Sequence, residues 1–445
     1  MAMVVKNNMS AVNTLNTLNK NQSALGTSLA KVSSGQKINT AKDDASGYAI
    51  SERMRVMVRA LDQATQNTQN GSSMMKVAEG AVNNTVEILK TLKEKAINAA
   101  TDTNTDTDRA TIQKEINQFI DQINDNALAT FNGKYLVDGS KSNSVGTATR
   151  TILINQSLDS STAGGNLVGM KDASGKSLNI VKGDKITVSV VSQGQVITTT
   201  ITIASNTTLS GVLANTKFSQ YIDTTTSKGS GFKTDGTAMG SYFTDTAGNA
   251  VTTPNKESAY AIISANAGID KQISGLSITI TDQYGSSKKA ANEHLEFNVL
   301  QFAADKQDND NSLKIHVGAQ AGQTISIGLA DMRAESLGLQ ASDASVLSVA
   351  TPAQANAAIS AFDYALAKAL DQATTIGAIE ARLDYTASNL TTSSENVQAA
   401  ESTIRDADMA KEMTNYTKNN VLLQAAQSML AQANQNSSAV LSLLQ

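Results

Sequence analysis

The stretch FDYALAKALDQATTIGAIEARLDYTASNLTTSSENVQAAESTI (362–404) decides the architecture. In it Phe362, Ala369, Ile376, Leu383, Leu390, Val397 and Ile404 recur every seven residues, with Ala373, Ile379 or Ala387, and Ala400 between them. Seven residues are two helical turns, so such a series returns to one side of a helix. The spacing predicts one long, nearly straight helix whose seam needs a partner. Only Gly377 interrupts it.

Further upstream, Ile112, Ile116, Phe119 and Ile123 alternate steps of four and three, and so do Ile50, Met54, Met57 and Leu61. A helix predicted from about Ser46 to Ala100 would be roughly 80 Å long at the usual rise, longer than globular helices run. Asp43, Asp44 and Ser46 mark its start, because short polar side chains accept from free first-turn N–H groups and carboxylates suit the positive end of the dipole. The run TDTNTDTD (101–108) predicts a polar turn, with a second helix from Ala110. Three rods with Ala-rich seams predict a bundle.

Between the rods the composition changes to Thr, Ser and Gly. Thr151–Asn155, Lys185–Val191, Val196–Ile203, Leu276–Thr281 and His294–Val299 alternate with a period near two, as half-buried strands do. The loop SKGSGFKTDG (227–236) punctuates them. The predicted fold class is therefore α+β: long helical coiled-coil or bundle rods from both termini, with an inserted β-rich domain.

Composition excludes several functions. The 445 residues are 40% hydrophobic but 4% aromatic, with no Cys, no Trp and two Pro. Ala, Leu, Ile, Val and Met fill helix seams well and bulky globular cores poorly. Without Cys there are no disulfides, thiolate metal sites or cysteine nucleophiles. A net charge of −4 with mixed signs argues against nucleic acid as a partner. There is no long apolar run for a membrane, and MAMVVKNNMSAV has neither the apolar stretch nor the cleavage site of a signal peptide.

The two ends carry amphipathic stripes. Residues 8–34 present Met9, Val12, Leu15, Leu18, Leu25, Leu29 and Val32, and residues 407–445 present Met413, Leu422, Leu423, Met429, Leu430, Val440, Leu441, Leu443 and Leu444. Neither stripe has enough apolar area to fold alone, so these ends are expected to pair with each other and with other copies, and to order only on assembly.

SLAKVSSGQKINTAKDDASGYAISERMR (28–55), QNTQNGSSMMKVAEGAV (66–82) and FNGKYLVDGS (131–140) resemble the start of a bacterial flagellin. IGAIEARLDYTASNLTTSSENVQAAESTIRDADMAKEM (376–413) and LAQANQNSSAVLSLLQ (430–445) resemble the other end of one, so the likeness covers both terminal thirds in order. LKIHVGAQAGQTISIGLADMRAESLGL (313–339) is similar to the β-hairpin and connector of the family's rod domain.

The resemblance implies a subunit of a helical filament, built from identical copies and exported unfolded through the flagellar secretion channel to the outside of the cell. Residues 1–42 and 405–445 would form a terminal coiled-coil inner tube. Residues 43–140 and 312–404, with the hairpin at 313–330, would form a helical rod domain, and 141–311 an inserted variable surface domain. The seam residues implied for self-assembly are Leu15, Leu18, Leu25, Leu29, Ile376, Leu383, Leu390, Val397, Ile404, Met413, Leu423, Leu430 and Leu444. Export chaperone, cap and hook-filament junction proteins are implied as partners. Two alternatives stay open: a junction protein itself, or an adhesin with a carbohydrate-binding surface on the insertion. The second needs an aromatic platform, for which Tyr221, Phe232, Tyr242, Phe243 and Tyr260 are few.

Resemblance also points to LKTLKEKAINAA (89–100), whose charges otherwise read as a solvated helix face. In flagellins recognised by a Toll-like innate receptor, the matching surface carries Arg and Leu where this chain has Thr91 and Lys95, while Leu89, Glu94 and Glu115 match. Thr cannot replace the guanidinium fork, so weak receptor binding is implied.

Catalysis is not expected, nor any cofactor or metal. His294 and His316 lie in alternating runs, and HLEFN lacks the second histidine of the HExxH motif that some flagellins carry. Asp305, Asp308 and Asp310 echo a calcium loop but lack its turn Gly and closing Glu. No GxSxG elbow and no phosphate-cradling Gly loop is present. N-x-[ST] matches such as Asn206 arise readily in so Asn- and Thr-rich a chain.

Overall fold

The computed structural model describes residues 8–146, 148–155, 157–158, 166–218, 220–222, 260–307 and 309–443, with main chain alone at 260–261, 437 and 439–443. The helices are α1 (Met9–Ser34), α2 (Ala45–Ala99), α3 (Asp106–Ala127), α4 (Leu209–Leu213), α5 (Lys289–Asn292), α6 (Pro352–Arg405) and α7 (Met409–Leu443). The strands are β1 (Thr130–Phe131), β2 (Lys134–Tyr135), β3 (Ile152–Asn155), β4 (Lys185–Ser192), β5 (Gln195–Thr202), β6 (Tyr260–Ile263), β7 (Gly275–Thr281), β8 (Asn298–Gln301), β9 (Leu313–His316) and β10 (Thr324–Ile327). The chain divides into two compact units: Met1–Gln69, His316–Thr324 and Tyr385–Gln445 form one, and Asn70–Ile315 with Ile325–Asp384 form the other.

Each long helix begins where a side chain satisfies its free N–H groups. Asn8 caps α1, and Gly35 ends it with φ 71°, a left-handed conformation that only glycine adopts without strain. Asp44 Oδ1 accepts from the N–H groups of Ser46 and Gly47 and so starts α2. Asp43 does something else: its carboxylate closes the preceding turn by accepting from Asn39 and Thr40. Thr105 and Asp108 form a reciprocal capping box, so α3 starts at Asp106, inside the polar run and earlier than the expected Ala110. Thr351 Oγ1 caps α6 through the N–H of Gln354, with Pro352 at the first helical position. Asp408 caps α7.

In the first unit α1 and α7 pair antiparallel, with Asn8 Nδ2 donating to Ala433 O, Asn21 Nδ2 to Leu422 O and Asn419 Nδ2 to Ser28 Oγ. These ends, expected to order only on assembly, are thus paired helices within one chain. Gln36 and Asp406 form an antiparallel bridge between the connectors that follow α1 and precede α7. Leu61, Ala64 and Leu390 make a small core against which Ala319 of the β9–β10 turn and Val397 pack.

In the second unit α2, α3 and α6 bury Met75, Leu89, Leu92, Ile116, Ile120, Ile123, Phe362, Ile376 and Leu383 completely. Each such side chain contributes on the order of 2 kcal/mol on transfer from water. Among the described residues the insertion holds two three-stranded antiparallel sheets, β5-β4-β7 and β6-β3-β8. Its core gathers Leu153, Leu167, Ile186, Val188, Phe218 and Ile278 with their neighbours.

The insertion sits tightly on the rod helix within this unit. Buried Gln272 donates from Nε2 to Glu335 O (2.9 Å) and accepts from the Tyr364 hydroxyl (3.1 Å). A Cβ on Gly275 would stand 2.8 Å from the main-chain nitrogen of Ala361, so that close approach needs glycine.

One expected strand is corrected. His294 is not in a strand, because Glu293 and His294 continue the turn after α5, with His294 N–H donating to Ala291 O and Leu295 N–H to Asn292 O. Extended pairing begins only at Asn298.

Candidate self-assembly surface

The covered side of α1 is Ala11, Thr14, Leu18, Asn21, Leu25, Ser28 and Val32, alternating steps of three and four. On α7 it is Glu412, Tyr416, Asn419, Leu423, Ala426, Leu430 and Ala433, with the same stepping. This is a coiled-coil seam closed inside one chain, in which polar residues take alternate layers. Leu18, Leu25, Leu423 and Leu430 belong to it.

Leu15, Leu29 and Met413 lie outside this seam within the chain. They are 45%, 52% and 46% exposed. Heptad positions explain why. With Ala11 and Tyr416 as the first core positions of their helices, Leu15 and Leu29 both fall just after a core layer, whereas Leu422 and Met429 both fall just before one. In an antiparallel pair these positions lie on opposite flanks of the seam. The pair therefore carries two different apolar edges: Leu15 and Leu29, with Met413 of α7, which likewise follows a core layer, on one side, and the exposed Leu422 and Met429 of α7 on the other. Further apolar surface lies on the first turns of α2 at Ile50, Val56 and Met57. Leu444 lies outside the described residues.

The rod series behaves as its spacing predicts, with a different consequence. Phe362, Ala369, Ile376 and Leu383 are fully buried, Leu390 is buried, and Val397 and Ile404 are half-buried. Ile376 and Leu383 thus hold the chain's own rod together and present nothing to a second copy.

Among the residues at the implied receptor surface, Leu89 is fully buried between the rod helices and offers no side chain to a partner. Its place in the apolar periodicity outweighs the charged neighbours that made it look like surface. Glu94 is exposed, and Thr91 is half-buried with its hydroxyl donating to Glu87 O. Lys95 pairs with Glu115 at 2.7 Å, and Lys93 with Asp363 at 2.6 Å. Lys93 and Lys95 of this face thus join α2 to its neighbours, whereas Lys90 pairs with Glu87 on α2 itself.

Arg405 was missed by periodicity. At the end of α6 it donates from Nε to Gln36 Oε1 (2.9 Å) and from Nη1 to Glu52 Oε1 (2.5 Å), and it lies 5.4 Å from the Tyr48 ring centroid. Its signal in the sequence was only a cation directly after an apolar heptad series. Glu52 is held below the usual carboxylate range, first by the hydrogen bond from Arg405.

The remaining candidates are occupied locally. Asp310 accepts from Ser312 N–H, Asp305 from Ile269 N–H, and Asp308 lies outside the described residues. His294 stands 3.9 Å from Asp172, and the His316 carbonyl accepts from Asn67. Among the described residues no three His, Asp or Glu side chains converge as metal ligands, and no helix is long and apolar enough to cross a membrane. Tyr221 packs half-buried on the insertion core, while Phe232, Tyr242, Phe243 and the Tyr260 side chain lie outside the described residues.

Residues 5–142 match the bacterial flagellin N-terminal helical region, and residues 359–444 match the bacterial flagellin C-terminal helical region. A flagellin of Clostridium tyrobutyricum is 32% identical over 97% of this chain and 99% of its own length. The chain belongs to the bacterial flagellins. A flagellin of Bacillus subtilis strain 168 is 29% identical over 99% of this chain and all of its own, and the flagellar filament 33 kDa core protein of Treponema phagedenis is 27% identical with the same coverage. This flagellin is accordingly a structural subunit of a flagellar filament, and the family assembles from identical copies. The matched regions contain α1, α2 and α3 at one end and most of α6 with α7 at the other.

Proposed function

We propose that this flagellin polymerises head to tail through the two flanks of its α1–α7 pair, acting as propeller material without catalysis. One observation carries this reading: Leu15 and Leu29 lie on the flank opposite Leu422 and Met429. Two different apolar edges favour a heterologous contact, which propagates as a helix and does not close as a dimer would. In this reading 1–42 with 405–445 form the inner tube, 43–140 with 312–404 the rod, and 141–311 the outer surface. Export in an unfolded state, assisted by chaperone, cap and junction proteins, delivers it outside the cell. Dissociation of filaments by heat or acid, followed by seeded regrowth, tests this. Long filaments should regrow from the intact chain and none from a chain clipped after residue 404. Failure of the intact chain to polymerise under any seeding would favour the junction or adhesin reading.

A second reading concerns the surface at Thr91, Glu94, Lys95 and Glu115. The Lys95–Glu115 pair and the burial of Leu89 support weak Toll-like receptor binding, because little of that face remains unengaged. A reporter-cell dose response as potent as that of a strong enteric flagellin would overturn it.

A further inference from the structure

Beside the sheet β5-β4-β7 runs a groove of about 530 Å³, walled by β7, by the segment 295–299 that leads into β8, and by one face of α6. Among the described residues both strand walls are sheet edges, since β7 ends its sheet and β8 ends the sheet β6-β3-β8. Main-chain directions alternate along a strand, and Ile280 fixes the phase. Its N–H donates to Asn292 Oδ1 (2.6 Å) and its carbonyl accepts from Lys288 N–H (3.0 Å), both on the side away from β4. Ile278 and Leu276, two and four residues earlier, therefore turn their N–H and C=O groups the same way, into the groove. Among the described residues no strand pairs with them there.

The α6 wall leaves room. Asn356, Ser360, Asp363 and Ala367 line the groove at helical spacing and are small or polar, with Ile359 and Tyr364 beside them supplying the apolar part of the same wall. Its charge is acidic, with Glu296 and Asp363 on the lining. Asp363 already attracts one cation, Lys93. Phe297, the aromatic residue on the other wall, packs half-buried against the insertion core and offers no stacking platform for a sugar.

We propose that this groove takes an extended peptide of a partner protein, about five residues long and carrying a Lys or Arg, added as a strand to the edge of β7. Main-chain groups at every second residue match the repeat of a strand, and the acidic lining selects the cation. An unpaired edge inside a groove is also shielded from the edge-to-edge association that a fully open one invites.

The test is hydrogen–deuterium exchange at single-residue resolution on the full-length monomer, with the probe acetyl-Thr-Val-Thr-Lys-Thr-amide. The Leu276 and Ile278 amides should slow by at least about tenfold, as expected for strand addition. The Ile280 amide, already bonded to Asn292, should not change. A probe with Pro at the central position should give no protection, and one with Glu in place of Lys should give less. Ser360→Trp should fill the groove and abolish the effect; if it unfolds the chain, Asn356→Trp, at an exposed position, replaces it. No protection at millimolar peptide, equal protection by the Pro probe, or protection that survives the filled groove would overturn the proposal. So would protection by a chitin or maltose oligosaccharide where the peptide gives none.

Discussion

Arg405 donates to Glu52 across 353 residues of sequence, and the same guanidinium reaches Gln36 and stacks over Tyr48. One almost fully buried cation thus ties the end of α6 to the start of α2 and to the connector after α1. Arg405→Ala should destabilise the first unit by about 2–3 kcal/mol, since it leaves several polar partners and an aromatic face without their group. Arg405→Lys should recover less than half, because an ammonium cannot serve Gln36 and Glu52 as a planar fork does. Denaturant melts of the variants, followed by proteolysis at the α1–α2 connector, would check the order.

Acid should loosen the same region. Asp43 is held below its ordinary range by the N–H groups of Thr40 and Asn39, Asp44 by Gly47 N–H and the Ser46 hydroxyl, and Glu52 by Arg405. A carboxylate lowered in the folded state contributes stability above its unfolded pKa and loses it as pH falls through the folded one. The loss therefore begins just below the ordinary carboxylate range and grows toward lower pH. Asp44→Asn with Glu52→Gln should flatten the acid limb of a pH titration of helicity, while the neutral-pH melt moves little in slope. An unchanged acid limb would remove these carboxylates from the explanation.

Much of this arrangement was legible beforehand, and the exceptions are instructive. The seven-residue series from Phe362 to Ile404 survives intact because an apolar seam that long admits one register. The ends were harder. Counting apolar residues on α1 selects Leu15 and Leu29, yet the seam that closes inside the chain runs through Thr14, Asn21 and Ser28. Polar layers are tolerated there because Asn21 and Ser28 find hydrogen-bond partners on α7. A period count cannot see those partners. Leu89 failed for the opposite reason, since flanking charges disguised a core position. Gln272 was invisible because its role depends on the insertion folding back onto a helix far along the chain, and Lys368 because its partner, Ser336, lies in the irregular connector after β10.

Two glycines make a contrast that sequence alone does not draw. A Cβ on Gly71 would come 2.3 Å from Ile315 Cδ1, and one on Gly275 would come 2.8 Å from the Ala361 main-chain nitrogen. The first contact is the shorter, but a side-chain tip can rotate away and Ala gains about 1 kcal/mol of helix propensity. The second requires α6 or β7 to move. Gly71→Ala should be within about 1 kcal/mol of neutral, and Gly275→Ala should cost about 1–3 kcal/mol. Equal costs in parallel denaturant melts would show that the sheet adjusts as easily as the side chain.

Lys368 is buried with its ammonium donating to the carbonyl (2.6 Å) and hydroxyl (2.8 Å) of Ser336, and burial pushes its pKa down to about 8. The unfolded chain then binds more protons than the folded one between about pH 8 and the ordinary lysine value, so stability rises with pH across that window. A gap of this size corresponds to about 3 kcal/mol at full development. Tyr364, pushed up to about 12 by burial, acts in the opposite sense above pH 10, so the rise is clearest between pH 8 and 10. Lys368→Met should abolish the rise. If the wild-type midpoint in urea is level from pH 8 to 10, the buried cation is not titrating there.

The two flanks of the α1–α7 pair separate folding from polymerisation. Leu25 and Leu423 line the closed seam and are half-buried, so Leu25→Ala or Leu423→Ala should lower the melting of the terminal helices by about 1–2 kcal/mol. Leu29 and Leu422 point outward on opposite flanks, and replacing either with Ser should leave the monomer within about 0.5 kcal/mol. Each outward substitution should nonetheless raise the critical concentration for seeded growth. If each flank contacts a different surface on the neighbour, a monomer carrying Leu29→Ser and another carrying Leu422→Ser should be impaired alone, because every junction in either filament contains the defect. Mixed in equal parts they should not rescue each other. Complementation on mixing would require a closed, two-fold contact between like flanks, and the head-to-tail geometry would then be wrong.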